Sequence, residues 1–186
     1  ICKLNFPQPL ADGCGTMEEE MRREILRRYE EADSIGSIFE AVKMTVKEAI
    51  NRERAGLMLG LADLGTSNNY WIGAFWQLGS NVIIMNSVPL KRINDTDPDL
   101  MKPYNFHILL HEYLHSIGVL DELRTRELTY AISAEVFGER HIVTRLAKDI
   151  SKFLPNITYP GVEWHPREFK VTLIEGFDQG NTRYIG

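Results

Sequence analysis

The sequence has little of what staples or anchors a small protein. Among its 186 residues Cys2 and Cys14 are the only thiols, so neither a disulfide framework nor a C-x-x-C zinc ribbon is encoded. Two lone thiols in a reducing cytoplasm are the expectation, with a Cys2–Cys14 bridge as the alternative. No apolar run reaches the roughly 20 residues that span a bilayer, and no basic stretch leads into an apolar core as in a signal peptide. Unopposed positive charge is also missing. Lys and Arg total 21 against 26 acids, for a net charge of −5. Arg22, Arg23, Arg27 and Arg28 alternate with glutamates and read as a solvated helix face. Nucleic-acid binding depends on basic surfaces that displace counterions, so neither nucleic acid nor membrane is expected as a partner.

What is present suits one domain with its own core, since 44% of residues are apolar and 25% charged. Thr16-Met17-Glu18-Glu19 fits an N-cap and first turn, and Met21, Ile25, Leu26 and Tyr29 continue a helical period. Ile38, Phe39, Val42, Val46 and Ile50 predict a second helix. Short apolar or aromatic segments then follow at 56–64, about 70–77 and 81–86. Gly, Ser and Asn clusters separate them, and Leu78-Gly79-Ser80-Asn81 reads as a hairpin connection. Pro89 to Pro103 reads as a polar connection, and Tyr104 to Ile117 as a helix broken by Gly118. Asp121 is placed to cap another helix to about Phe137, closed by Gly138. A short helix is expected over Ile142 to Phe153, and a strand over Phe169 to Ile174 in a Pro- and Gly-rich tail.

The chemistry concentrates in His111-Glu112-Tyr113-Leu114-His115. Histidines four apart on a helix project from one face and can share a metal ion. A glutamate directly after the first is placed beside that ion, where it takes a proton from a zinc-activated water attacking a carbonyl. The motif has this meaning only on a helix, and the apolar turn before it, Tyr104 to Leu110, supplies one. Three of five histidines, His107, His111 and His115, share one helical stripe. A stack of imidazoles is an odd way to build a core, which favours a metal site. His107, a further turn away, is expected to line the cleft or support a ligand and not to bind the ion itself.

His111 to Asp121, HEYLHSIGVLD, resembles the zincin metallopeptidases and fits the metzincin pattern H-E-x-x-H-x-x-G-x-x-D. The resemblance covers about these eleven residues plus a coarse order of elements. It implies Zn²⁺ held by His111, His115 and Asp121, Glu112 as general base, and Gly118 as the turn that brings in the third ligand. It also implies a peptide or protein substrate laid along the edge strand of a small sheet. Metzincins follow the motif with a methionine-containing turn, whereas all six methionines here precede His111. A helix follows instead, which resembles the gluzincin branch, whose third ligand is a helical glutamate. At 100° per residue Leu120, Leu123, Ala131 and Ala134 share a face with Glu127 at its centre and Glu135 on its flank beside Leu128. Asp121, Glu127 and Glu135 thus stand as alternatives, and each also has a plain structural reading as a cap or an ion-pair partner.

The expected architecture is α+β, zincin-like, with helices packed on a small mixed or antiparallel sheet. Residues 1–154 form the catalytic domain and residues 155–186 a tail or strap packed on it. The expected activity is zinc-dependent peptide hydrolysis; the alternative is a catalytically silent metal-binding or regulatory module of the same fold. Two weaker signals accompany these. Tyr70, Trp71, Phe75 and Trp76 form an aromatic cluster suited to core packing and in part to a substrate wall. Cys14-Gly15 alone resembles the latency segment of secreted matrix metallopeptidases, and a loop cysteine is the simpler reading.

Overall fold

The computed structural model describes residues 17–66, 72–166 and 168–178. Cys2, Cys14, the Thr16 cap, Tyr70 and Trp71 lie outside them. The described chain is α+β, seven α-helices packed on a four-stranded mixed sheet. Helix α1 (Glu19–Glu31) and helix α2 (Ile35–Ile50) open it. Ser34 caps α2 in a reciprocal capping box with Ser37, satisfying backbone donors that a helix start leaves open. Strands β1 (Met58–Ala62), β2 (Ala74–Trp76) and β3 (Val82–Asn86) follow, and β4 (Thr172–Ile174) comes from the tail. Their order is β2-β3-β1-β4, with β1 parallel to β3 and the outer pairs antiparallel. The β2–β3 pair is the expected hairpin, turning where Gly79 adopts φ +82°.

Described residues of the tail pack into the core. Phe177 stacks on Phe39 at 4.2 Å between ring centroids. Buried Asp178 accepts from Lys43 at 2.5 Å and from the Leu57 amide at 3.1 Å. At Gly60 an added Cβ would come within 2.4 Å of Val171, so this strand position must stay bare for the tail to pack.

The polar connection expected over Pro89 to Pro103 is instead mostly helical. Helix α3 (Ser87–Thr96) is started by Asn86, whose side chain accepts from the Val88 amide at 3.1 Å. Pro89 falls in its first turn, where a missing N–H costs nothing. Polar composition hid a helix whose start signal, the Asn86 cap, is also the last residue of β3. A short 3-10 turn leads into α4 (Met101–Ser116), which carries the HEYLH motif. Helix α4 is buried on all sides through half of its length, from Pro103 to Leu110. Such a helix has no polar face of its own, so its only openings mark where something other than core is required.

Helix α5 (Glu122–Phe137) runs from its Asp121 cap to Gly138, as the sequence predicts. Its orientation differs from the expected one: Thr125, Leu128, Thr129, Ile132, Ser133 and Val136 are buried, while Leu120 and Leu123 are exposed. The buried stripe is half hydroxyl. Thr129 and Ser133 donate to carbonyls one turn back, so a wheel drawn from leucines and alanines picks the wrong side. Helix α6 (Ile142–Lys148), a 3-10 turn over Ile150–Phe153 and α7 (Leu154–Ile157) replace the single helix expected there. No described helix is long and apolar enough to cross a membrane.

Candidate metal centre

The end of α4 folds back on itself in a way its residues dictate. Gly118, at φ +101°, takes the left-handed conformation that suits glycine. The Val119 amide donates to Leu114 O and the Gly118 amide to His115 O, both at 3.0 Å, closing a Schellman turn. That turn delivers the Val119 carbonyl to His115 Nδ1 at 2.8 Å. A carbonyl only accepts, so Nδ1 carries a proton, and in the neutral form of the ring the lone pair falls on Nε2, which faces His111 and Glu122. Buried Thr125 braces the same carbonyl from α5, donating to Val119 O at 3.1 Å and to Asp121 O at 2.8 Å. The other flank is held by Arg54, whose guanidinium reaches Ser116 O at 2.9 Å and Ser80 O at 2.7 Å. Arg54 thereby ties the end of α4 to the β2–β3 hairpin.

Three donor atoms meet at this corner. His111 Nε2 and His115 Nε2 are 3.1 Å apart, and Glu122 Oε2 lies 3.2 Å from His115 and 3.4 Å from His111. Among the described residues this is the one group of histidine, cysteine and acid side chains close enough to hold an ion. A tetrahedral zinc site with bonds of about 2.0–2.1 Å has ligand atoms about 3.3–3.4 Å apart, so the triangle fits that group. The chemistry fits as well: with the His115 proton on Nδ1, its Nε2 lone pair faces a carboxylate oxygen, and a shared cation relieves that repulsion.

Asp121, the third ligand implied by the metzincin pattern, is elsewhere. Its Oδ1 accepts the Arg124 amide at 2.8 Å as the cap of α5, and the first residue after the cap, Glu122, turns back toward α4. Glu127 is exposed and faces Arg124 at 3.7 Å, and Glu135 accepts the Met17 amide at 3.0 Å. The sequence reading did not weigh Glu122, the acid that the structure brings to the two histidines. Its signal was the cap itself: a carboxylate spent on a helix start is poorly placed to bind an ion, and the next residue starts the helix facing the preceding turn. An acid there is also favoured by the helix dipole.

Glu112 lies beside the triangle and outside it. Burial, and then the negative charge of Glu122, push its carboxyl up to about 7, against a hydrogen bond from the Trp76 amide of β2. Burial lowers His111, opposed by Glu122. Partial burial would raise Glu122, but His111, Arg126 and His115 outweigh it and hold the carboxyl low. His107 is buried at the cleft and stays neutral, its imidazole pushed down to about 3 by burial and the neighbouring His111.

These residues open on a cleft of about 590 Å³. One wall is β2 and the two residues before it, with Ile72, Ala74, Phe75 and Trp76; another runs from Leu146 to Ser151. Among the described residues strand β2 is at the end of the sheet, paired on one side only. Compared with known proteins, the chain matches no family model, no curated protein and no solved structure.

Proposed function

We propose that the chain is a zinc-dependent metallopeptidase with a zincin-like centre, in which His111, His115 and Glu122 hold the ion and Glu112 is the general base. The observation that carries this reading is the convergence of Nε2, Nε2 and Oε2 within 3.4 Å of one another, next to a buried carboxylate outside the triangle. Two histidines and one glutamate are a donor set of catalytic zinc, which supplies a water of lowered pKa and a Lewis acid for a carbonyl. Glu112, with a pKa of about 7, is matched to accepting a proton near neutral pH and returning it to a leaving amine. The Trp76 amide keeps its carboxylate aimed. The substrate is a peptide or protein segment, for which the outer edge of β2 offers main-chain pairing and Ile72 and Phe75 an apolar wall. A chain with two thiols works in a reducing cytoplasm without loss.

The test is metal analysis of protein purified without added metal, followed by a peptide-library assay. One zinc per chain is expected, with hydrolysis that falls about 10²–10⁴-fold in Glu112→Gln while zinc is retained. Zinc retained with no hydrolysis of any peptide by the wild type would assign a metal-binding module instead. No stoichiometric metal, in a protein whose melting temperature ignores His111→Ala, removes the centre altogether.

A further inference from the structure

Glu122 is half exposed and attached to a first-turn helix residue, so nothing in the core fixes its rotamer. What fixes it is one turn further along α5: Arg126 Nε donates to Glu122 Oε1 at 2.7 Å. We infer that Arg126 is a positioning residue that occupies one oxygen of Glu122 and leaves the other, Oε2, as the single oxygen presented to His111 and His115. The inference rests on the metal-centre reading above.

The division of the carboxylate is visible in the distances. Oε1 is taken by the guanidinium at 2.7 Å, and Oε2 alone faces the two Nε2 atoms at 3.2 and 3.4 Å. A charge-assisted bond of this length is worth more for direction than for stability, because both side chains are exposed and such pairs add little to folding. A carboxylate free to offer both oxygens would add a ligand atom and crowd the position that a catalytic zinc keeps open. Arg126 also lines the cleft, so the residue that restrains the ligand borders the space where a substrate lies. Asp121 cannot take over, since its carboxylate is spent on the α5 cap.

The experiment uses the full chain, loaded with zinc and, separately, with cobalt(II), whose visible absorption is strong in four-coordinate sites and weak at higher coordination. Arg126→Gln is expected to weaken zinc about 10–100-fold in a chelator competition, the range typical for a ligand's outer partner. Its cobalt spectrum should lose intensity, and Arg126→Lys should recover part of the affinity. Melting of the metal-free variant should match the wild type. Zinc affinity within about twofold of the wild type with an unchanged cobalt spectrum overturns the inference and leaves the centre standing. An affinity loss matched by lower stability of the metal-free variant also overturns it. A wild type that takes up neither ion fails the centre and this inference together.

Discussion

Two charged clusters on this chain draw on the same kinds of residue and are built differently. On α1, Glu24 is paired with both Arg27 and Arg28, and Arg27 reaches on to Glu31, all at 2.6–2.9 Å. Each charge there has a partner of opposite sign and water around it, so the ladder neutralises itself. At the junction of α4 and α5 the arrangement is reversed. His111 Nε2, His115 Nε2 and Glu122 Oε2 face one another within 3.4 Å, and the nearest guanidinium, Arg126, holds the other oxygen of Glu122. The α1 cluster is a chain of opposite-charge pairs, whereas three groups able to share one ion converge at the second. On the metal-centre reading proposed above a shared cation joins the second cluster, whereas the first is complete as opposite charges in water.

That contrast can be broken by substitution. The largest effect is expected from His115→Ala, which removes a donor and should weaken zinc by more than about 100-fold, beyond the loss of an outer partner, in a chelator titration. Next comes Glu112 in the metal-free protein. Its folded pKa of about 7 stands above the ordinary 4.5. The stability present below pH 4.5 is therefore lost as pH rises through about 7, because the unfolded chain releases the proton first. Glu112→Gln has no proton to release, so denaturant titrations in chelator should show it gaining on the wild type by on the order of 1–3 kcal/mol between pH 4.5 and 8. A constant difference across that range would remove the burial argument. The smallest effect is expected on α1. Arg27→Ala should leave zinc content unchanged and melting temperature within error, and a shift in zinc affinity there would erase the distinction between the clusters.

The helices that frame the centre were legible because their ends carry local signals. Asp121, Gly138 and Gly118 act at the chain positions where capping and left-handed turns predict them. The HEYLH helix was legible from its apolar lead-in turn, and the hairpin from Leu78 to Asn81. What could not be read was rotation and partition. The stripe of α5 that faces the core is threonine, serine and isoleucine as much as leucine, and hydroxyls bonded to carbonyls of their own helix pack like apolar groups. The third donor was hidden for a related reason. Asp121 and Glu122 are adjacent acids, and only the geometry of the turn decides which caps and which faces the histidines. Parallel pairing of β1 with β3, and recruitment of β4 from the far end of the chain, are long-range events that local pattern does not encode.

The Schellman turn at Gly118 has a consequence for assembly. It closes the link between α4 and α5 so tightly that all three donors lie between His111 and Glu122 in the chain. Bringing them together costs little loop-closure entropy. The cleft is assembled from distant parts: β2 precedes the donors and the segment from Leu146 to Ser151 follows them. The triangle is thus a local feature of two consecutive helices, and the cleft walls are long-range ones.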